Sequence, residues 1–105
     1  MRMKVFSIFD SCAGVYDRPF VAHNEASAKR AFGDIAVSAD HHIGQHPEHY
    51  SLFVVGEWDD NNGVIKPVDR VCVVTALEMV SASRKVDEAQ LQIFDEELTK
   101  AGGTA

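Results

Sequence analysis

Apolar positions near the start of the chain do not alternate. Val5, Phe6, Ile8 and Phe9 place apolar groups on both faces of an extended segment from Met3 to Asp10, the pattern of a strand inside a sheet. Asp10-Ser11 and Gly14 close it. Pro19 biases Arg18 toward an extended backbone and delays any helix, so residues 19 to 23 read as a short extended edge. Asn24 then offers an N-cap, and Glu25 complements the positive end of a helix dipole. From there Ala28, Ala31, Phe32, Ile35 and Ala36 recur at spacings of three and four as one apolar stripe, with Lys29, Arg30 and Asp34 off it. The small alanines let this helix sit close on a sheet.

Leu52 to Val55 is a continuous apolar run of strand-forming types, extended by Gly56, Glu57 and Trp58. The run DDNNG that follows carries Asn62-Gly63, the chemistry of a hairpin turn. Val64 to Lys66 returns until Pro67, and Val71 to Thr75 is either a further strand or the same one past a proline-marked bulge. Residues 84–100 have helical periodicity, with Val86, Ala89, Ile93, Leu91, Phe94 and Leu98 forming a wide apolar face. Asp87 and Glu88 stand near the start of that helix, Lys100 near its close and Gly102-Gly103 beyond it. The pattern predicts a single α+β domain over residues 1–101. It has a mainly antiparallel sheet of three to five strands, one helix packed on it and a C-terminal amphipathic helix, with residues 102–105 as a frayed tail.

At 105 residues, 46% apolar and 25% charged, the chain has the composition of one folded domain. Sixteen acidic against ten basic side chains give a formal charge of −6, which opposes broad nucleic-acid binding. The cations are spread along the chain, so only folding can gather them into a patch. Cys12 and Cys72 are far apart and in no CxxC pair, which predicts two free thiols in a reducing compartment. The start MRMKVFSIFD lacks the apolar core of a signal peptide, and no run approaches the ~20 residues of a membrane span; the expectation is a cytosolic protein without membrane contact.

The stretch HHIGQHPEHY is the one concentration of chemistry-bearing side chains. A metal reading would use His42, His46 and His49, which share a face only if the segment is a helix. Gly44 weakens that helix, and Pro47 removes an interior hydrogen bond at a cost of about 3 kcal/mol. Pro47 better suits the first position of a short turn capped by His46. The expectation is therefore a solvent-exposed loop with no metal and no cofactor, although four imidazoles would add positive charge on mild acidification. WDDNNGVIKPVD fails as a calcium loop because Trp58 stands where the first carboxylate is required. No glycine elbow, P-loop or GxGxxG is present, which predicts a non-enzyme. One set of residues has the types needed for a single strand of DNA, cations beside aromatics: Arg2, Lys4, Tyr16 and Arg18, with Lys29 and Arg30 as further cations. Its rival reading is a solvated strand edge with core aromatics.

In order along the chain, KVFSIFDS (Lys4 to Ser11), the pair Pro19-Phe20, the helix positions Ala28, Arg30 and Phe32, the step His46-Pro47-Glu48, and Leu52, Phe53, Gly56, Glu57, Asp59 and Gly63 form a pattern. It resembles the small nonstructural protein of gokushovirus-type microviruses, which are single-stranded DNA phages. The chain departs from that pattern at His49, where an acidic residue is commoner, and at Trp58, where phenylalanine is. The resemblance implies a nonstructural, non-enzymatic phage protein of the host bacterial cytoplasm, described as DNA-binding or as acting when replication turns to single-strand synthesis for packaging. Two functions follow as expectations. One is an accessory protein contacting single-stranded phage DNA; the other is an acidic protein-interaction module that engages a host or phage replication protein without touching DNA. The chain's small size and its apolar C-terminal helix further suggest a homodimer.

Overall fold

β1 (Arg2–Asp10) is the centre of the fold, as its two-faced apolar pattern requires. The computed structural model describes residues 1–86. On one side β1 pairs antiparallel with β4 (Tyr50–Asp59) along its whole length. Its other edge is shared by two short strands, β2 (Val15–Tyr16) opposite Phe9 and Asp10, and β3 (Phe20–Ala22) opposite Lys4 to Phe6. β5 (Ile65–Thr75) pairs antiparallel with β4, so the five-stranded sheet runs β2-β1-β4-β5 with β3 beside β1. The segments expected at Val64–Lys66 and Val71–Thr75 join in the single strand β5, which starts at Ile65 and continues past Pro67. The β4–β5 hairpin turns at Asn62-Gly63, where Gly63 takes φ 72° and its N–H donates to the Asp59 carbonyl at 2.8 Å.

α1 (Glu25–Ala36) begins at Asn24, whose side-chain oxygen accepts from the Ser27 N–H at 2.8 Å. It buries Ala28, Phe32, Gly33 and Ala36, whereas Ala31 is exposed. The packed stripe is thus rotated from the one expected, with Gly33 in place of Ala31. The reason is a neighbour: a Cβ on Gly33 would overlap the terminal methyl of Met79, on the helix that follows β5. That helix, α3, occupies residues 76–86, starting eight residues earlier than its periodicity suggests. Thr75 Oγ1 accepts from the Glu78 N–H at 3.1 Å, and Thr75-x-x-Glu78 is the capping signature that marks the true start. The positions expected beyond Val86, including Leu91, Phe94 and the 102–105 tail, lie outside the described residues.

Directly opposed residues of antiparallel strands share a face. Phe6, Ile8, Leu52, Val54 and Val74 therefore point to one side, with Phe20 and Ala22. There they pack with Ala28, Phe32 and Ala36 of α1, with Ile43, and with Ala76, Met79 and Val80 of α3. All the described helices lie on this side. The core is one layer of helix on one face of the sheet, and the other face has no layer over it among the described residues.

Candidate interaction surface

The face that no described helix covers carries Met3, Val5, Ser7 and Phe9 on β1, of which Val5 and Ser7 are themselves buried, with the register partners Val21, Phe53, Trp58, Ile65 and Cys72. Tyr16 joins them by a local device. The Asp10 carboxylate accepts from the N–H groups of Cys12 and Ala13 at 2.9 and 3.3 Å, and Gly14 at φ 71° donates its N–H to the Asp10 carbonyl. This turn brings Tyr16 opposite Phe9. Ser7, the one buried polar side chain among the described residues, donates its hydroxyl to the Asp17 carbonyl at 2.7 Å and pins the returning chain.

Three rings then meet. Tyr16 lies 4.7 Å from Phe9 and 5.7 Å from Phe53 between ring centroids, with Phe53 edge-on, and Phe9 is 6.0 Å from Phe53. Arg70 places its guanidinium carbon 5.6 Å from the Tyr16 ring centre, a cation–π contact. Arg70 belongs to a bulge in β5: Val54 pairs with Val71 and Gly56 with Pro67, so Val55 alone faces Val68, Asp69 and Arg70. Gly56 admits the strand closely, since a Cβ there would lie 2.9 Å from the Lys66 carbonyl oxygen. At the far end of the face Val21 is 44% and Ile65 66% exposed. Arg70 is the single charged side chain placed on this face by the register and ring contacts of the described residues.

The residues that the sequence suggested for a DNA strand are not gathered here. Tyr16 is on the face. Lys29 and Arg30 are on α1, across the sheet from it. Lys4 is held by Glu25, Nζ to Oε1 at 3.1 Å, and Arg2 faces Asp59 across the strands in a small cleft that also holds Glu57 and Lys66. Arg18 follows Asp17, whose carboxylate accepts the Arg18 N–H. Sequence reasoning passed over Phe9, Phe53 and Arg70. The two phenylalanines read as apolar strand positions whose face these non-alternating runs leave open, and Arg70 depends on a bulge that leaves no mark in local composition.

The histidine loop lies on the helix side, where it anchors Ile43, 1% exposed, into the core. A helical turn, α2 (His42–Gln45), is followed by a separate 3-10 turn over Pro47–His49. Pro47 splits the segment as its missing N–H demands, and with it any common face for the three imidazoles. His41 caps α2 through Nδ1, which accepts from the Ile43 N–H at 3.2 Å. His41 stacks on His42 at 4.3 Å and His42 meets the Tyr50 ring, while His46 and His49 flank Glu48 at 3.7 and 3.5 Å. Among the described residues no group of three or more His, Cys, Asp or Glu side chains is placed to hold a metal ion. Burial, reinforced by the Asp10 carboxylate opposite, pushes the Tyr50 phenol above its usual range. Burial and then Glu78 push the Cys72 thiol up, and both cysteines are free. The Ser11 hydroxyl is engaged by the His49 carbonyl at 3.2 Å. No helix of the described residues is long and apolar enough to cross a membrane.

No curated protein and no solved structure matches the chain. Residues 3–79, which run from β1 into α3 and include all the residues of the aromatic face, match the Phage ORF5 protein family, and the chain belongs to that family of phage proteins.

Proposed function

We propose that this phage protein is a non-enzymatic accessory factor of viral single-stranded DNA replication or packaging. In this reading it works as a protein-interaction module, through its uncovered sheet face, without holding DNA itself. The observation that carries this reading is the separation of aromatics from cations. Single-strand binding sites combine stacking rings with basic groups that follow the phosphates. Here the rings share their face with Arg70 alone, while Lys4 and Arg2 lie beside carboxylates elsewhere. A formal charge of −6 further repels a polyanion. The replication or packaging role rests on the resemblance to gokushovirus-type nonstructural proteins.

Direct contact with single-stranded DNA is the second reading, and one observation favours it: Tyr16 carries a guanidinium against its ring on an open surface, the pairing on which a base can stack. Fluorescence anisotropy with labelled single-stranded and duplex oligonucleotides separates the two. At low salt, where phosphate attraction is strongest, the module reading expects no saturable binding. Saturable single-strand binding that weakens with salt and is lost in Arg70→Ala would overturn it in favour of the second reading. Capture of a phage or host replication protein by the wild-type chain, lost in Tyr16→Glu, is the expected positive result.

A further inference from the structure

We infer that the uncovered sheet face is a docking surface for a second copy of this chain, the two sheets stacking face to face about a two-fold axis. The inference rests on the module reading above and names a first partner for its face.

Chemistry selects a protein occupant. Met3, Phe9, Tyr16, Phe53, Trp58 and Arg70 are of the types enriched at the centre of protein–protein contacts, where carboxylates and lysines are depleted. None of these six residues is acidic, so they can meet their copies without burying a carboxylate of their own. Fold geometry selects stacking over edge pairing. The outer edge of β1 is taken by β2 and β3. β5 has Lys66, Pro67, Asp69 and Arg70 along its length and is bulged twice, features that discourage a further strand. Size is sufficient as well. Four strand positions at ~4.8 Å and about eight residues at ~3.3 Å give a patch of roughly 500 Å² per copy. The pair then buries roughly 1,000 Å², the lower bound for a specific association. Aligned packing of two twisted sheets at ~10 Å is an ordinary way to fill such a gap with interleaved rings.

Light scattering on the full-length protein, from high concentration (~100 µM) down through the nanomolar range, tests this directly, since an interface of minimum size dissociates on dilution. The expected result is a two-chain mass that falls to one chain, with Trp58, the only tryptophan, shifting its emission to the red over the same range. Val21→Glu and Ile65→Glu alter exposed side chains, so the fold tolerates them; each is expected to give a one-chain mass with unchanged circular dichroism. Val37→Glu, exposed beside the groove between α1 and α3, is expected to keep the two-chain mass. A one-chain wild-type mass throughout the range overturns the inference, as does dissociation by Val37→Glu but not by Val21→Glu. A monomer that still captures a replication protein removes self-docking and leaves the module reading standing. Single-strand binding abolished by Val21→Glu in a wild-type monomer removes both.

Discussion

Gly44 lies against the end of α1, and a Cβ there would overlap the Ser38 carbonyl oxygen. Backbone on backbone has no flexible end to yield. Gly44→Ala is expected to destabilise the chain by about 2–3 kcal/mol, the upper part of the overpacking range, read as a lower urea midpoint at unchanged slope. Gly33→Ala is the contrasting case. Its added methyl meets only the mobile end of Met79, and alanine favours the helix by up to about 1 kcal/mol, so its midpoint should stay well above that of Gly44→Ala. Tyr50 supplies a pH signature. Because the folded chain raises its pKa above the ordinary value of 10.0, the fold binds a proton that the unfolded chain releases first. This contribution is fully present below pH 10.0 and is lost as pH rises through the folded value. Tyr50→Phe should flatten the fall in stability above that pH, as followed by urea titrations at successive pH values. At this scale the sequence was partly readable: Pro47 and Gly63 announced their turns, but Gly44, which looked only like a weak helix residue, proved to be a packing requirement. Proximity to Ser38 is a tertiary fact.

α1 and α3 show how far a pattern carries at the scale of elements. Spacing placed Ala28, Phe32 and Ala36 on the buried stripe correctly, because a helix on a sheet buries one side whatever lies next to it. It could not decide between Ala31 and Gly33, since that choice depends on the approach of α3. Phe32 is fully buried where α1 meets the sheet, and Phe32→Ala is expected to cost about 3–5 kcal/mol, measured by denaturant titration. The start of α3 shows a different failure. Apolar periodicity alone points to residue 84, and the Thr75–Glu78 cap is hidden because Val71–Thr75 reads as a strand up to its last residue. Thr75→Ala should cost about 1 kcal/mol, the usual loss of an N-cap, with helical circular dichroism lost in proportion.

For the whole molecule, charge and apolar surface are sorted by the sheet. The exposed Lys4–Glu25 pair contributes little; Lys4→Ala should change stability by no more than about 0.5 kcal/mol in a denaturant titration. The net charge of −6 has a larger effect, on association. Salt screens the repulsion between two acidic copies, so the two-chain mass should persist to lower concentration as salt is added. A DNA complex would respond with the opposite sign, weakening as counterions compete. Sedimentation at two ionic strengths therefore distinguishes the partners through a trend rather than an affinity.

Local order was written in the sequence by itself. The strand over β1, the capped helix after Asn24, the Asn-Gly hairpin and the proline-broken histidine loop each follow from backbone chemistry acting within a few residues, and together they determine an α+β chain with an antiparallel sheet. Only the tertiary structure decided which side of that sheet the helices cover and which cations stand near which rings. Strand register and the β5 bulge bring Arg70 to Tyr16, which are far apart in the chain. Such long-range placement depends on how elements pack, which residue type and local spacing leave open.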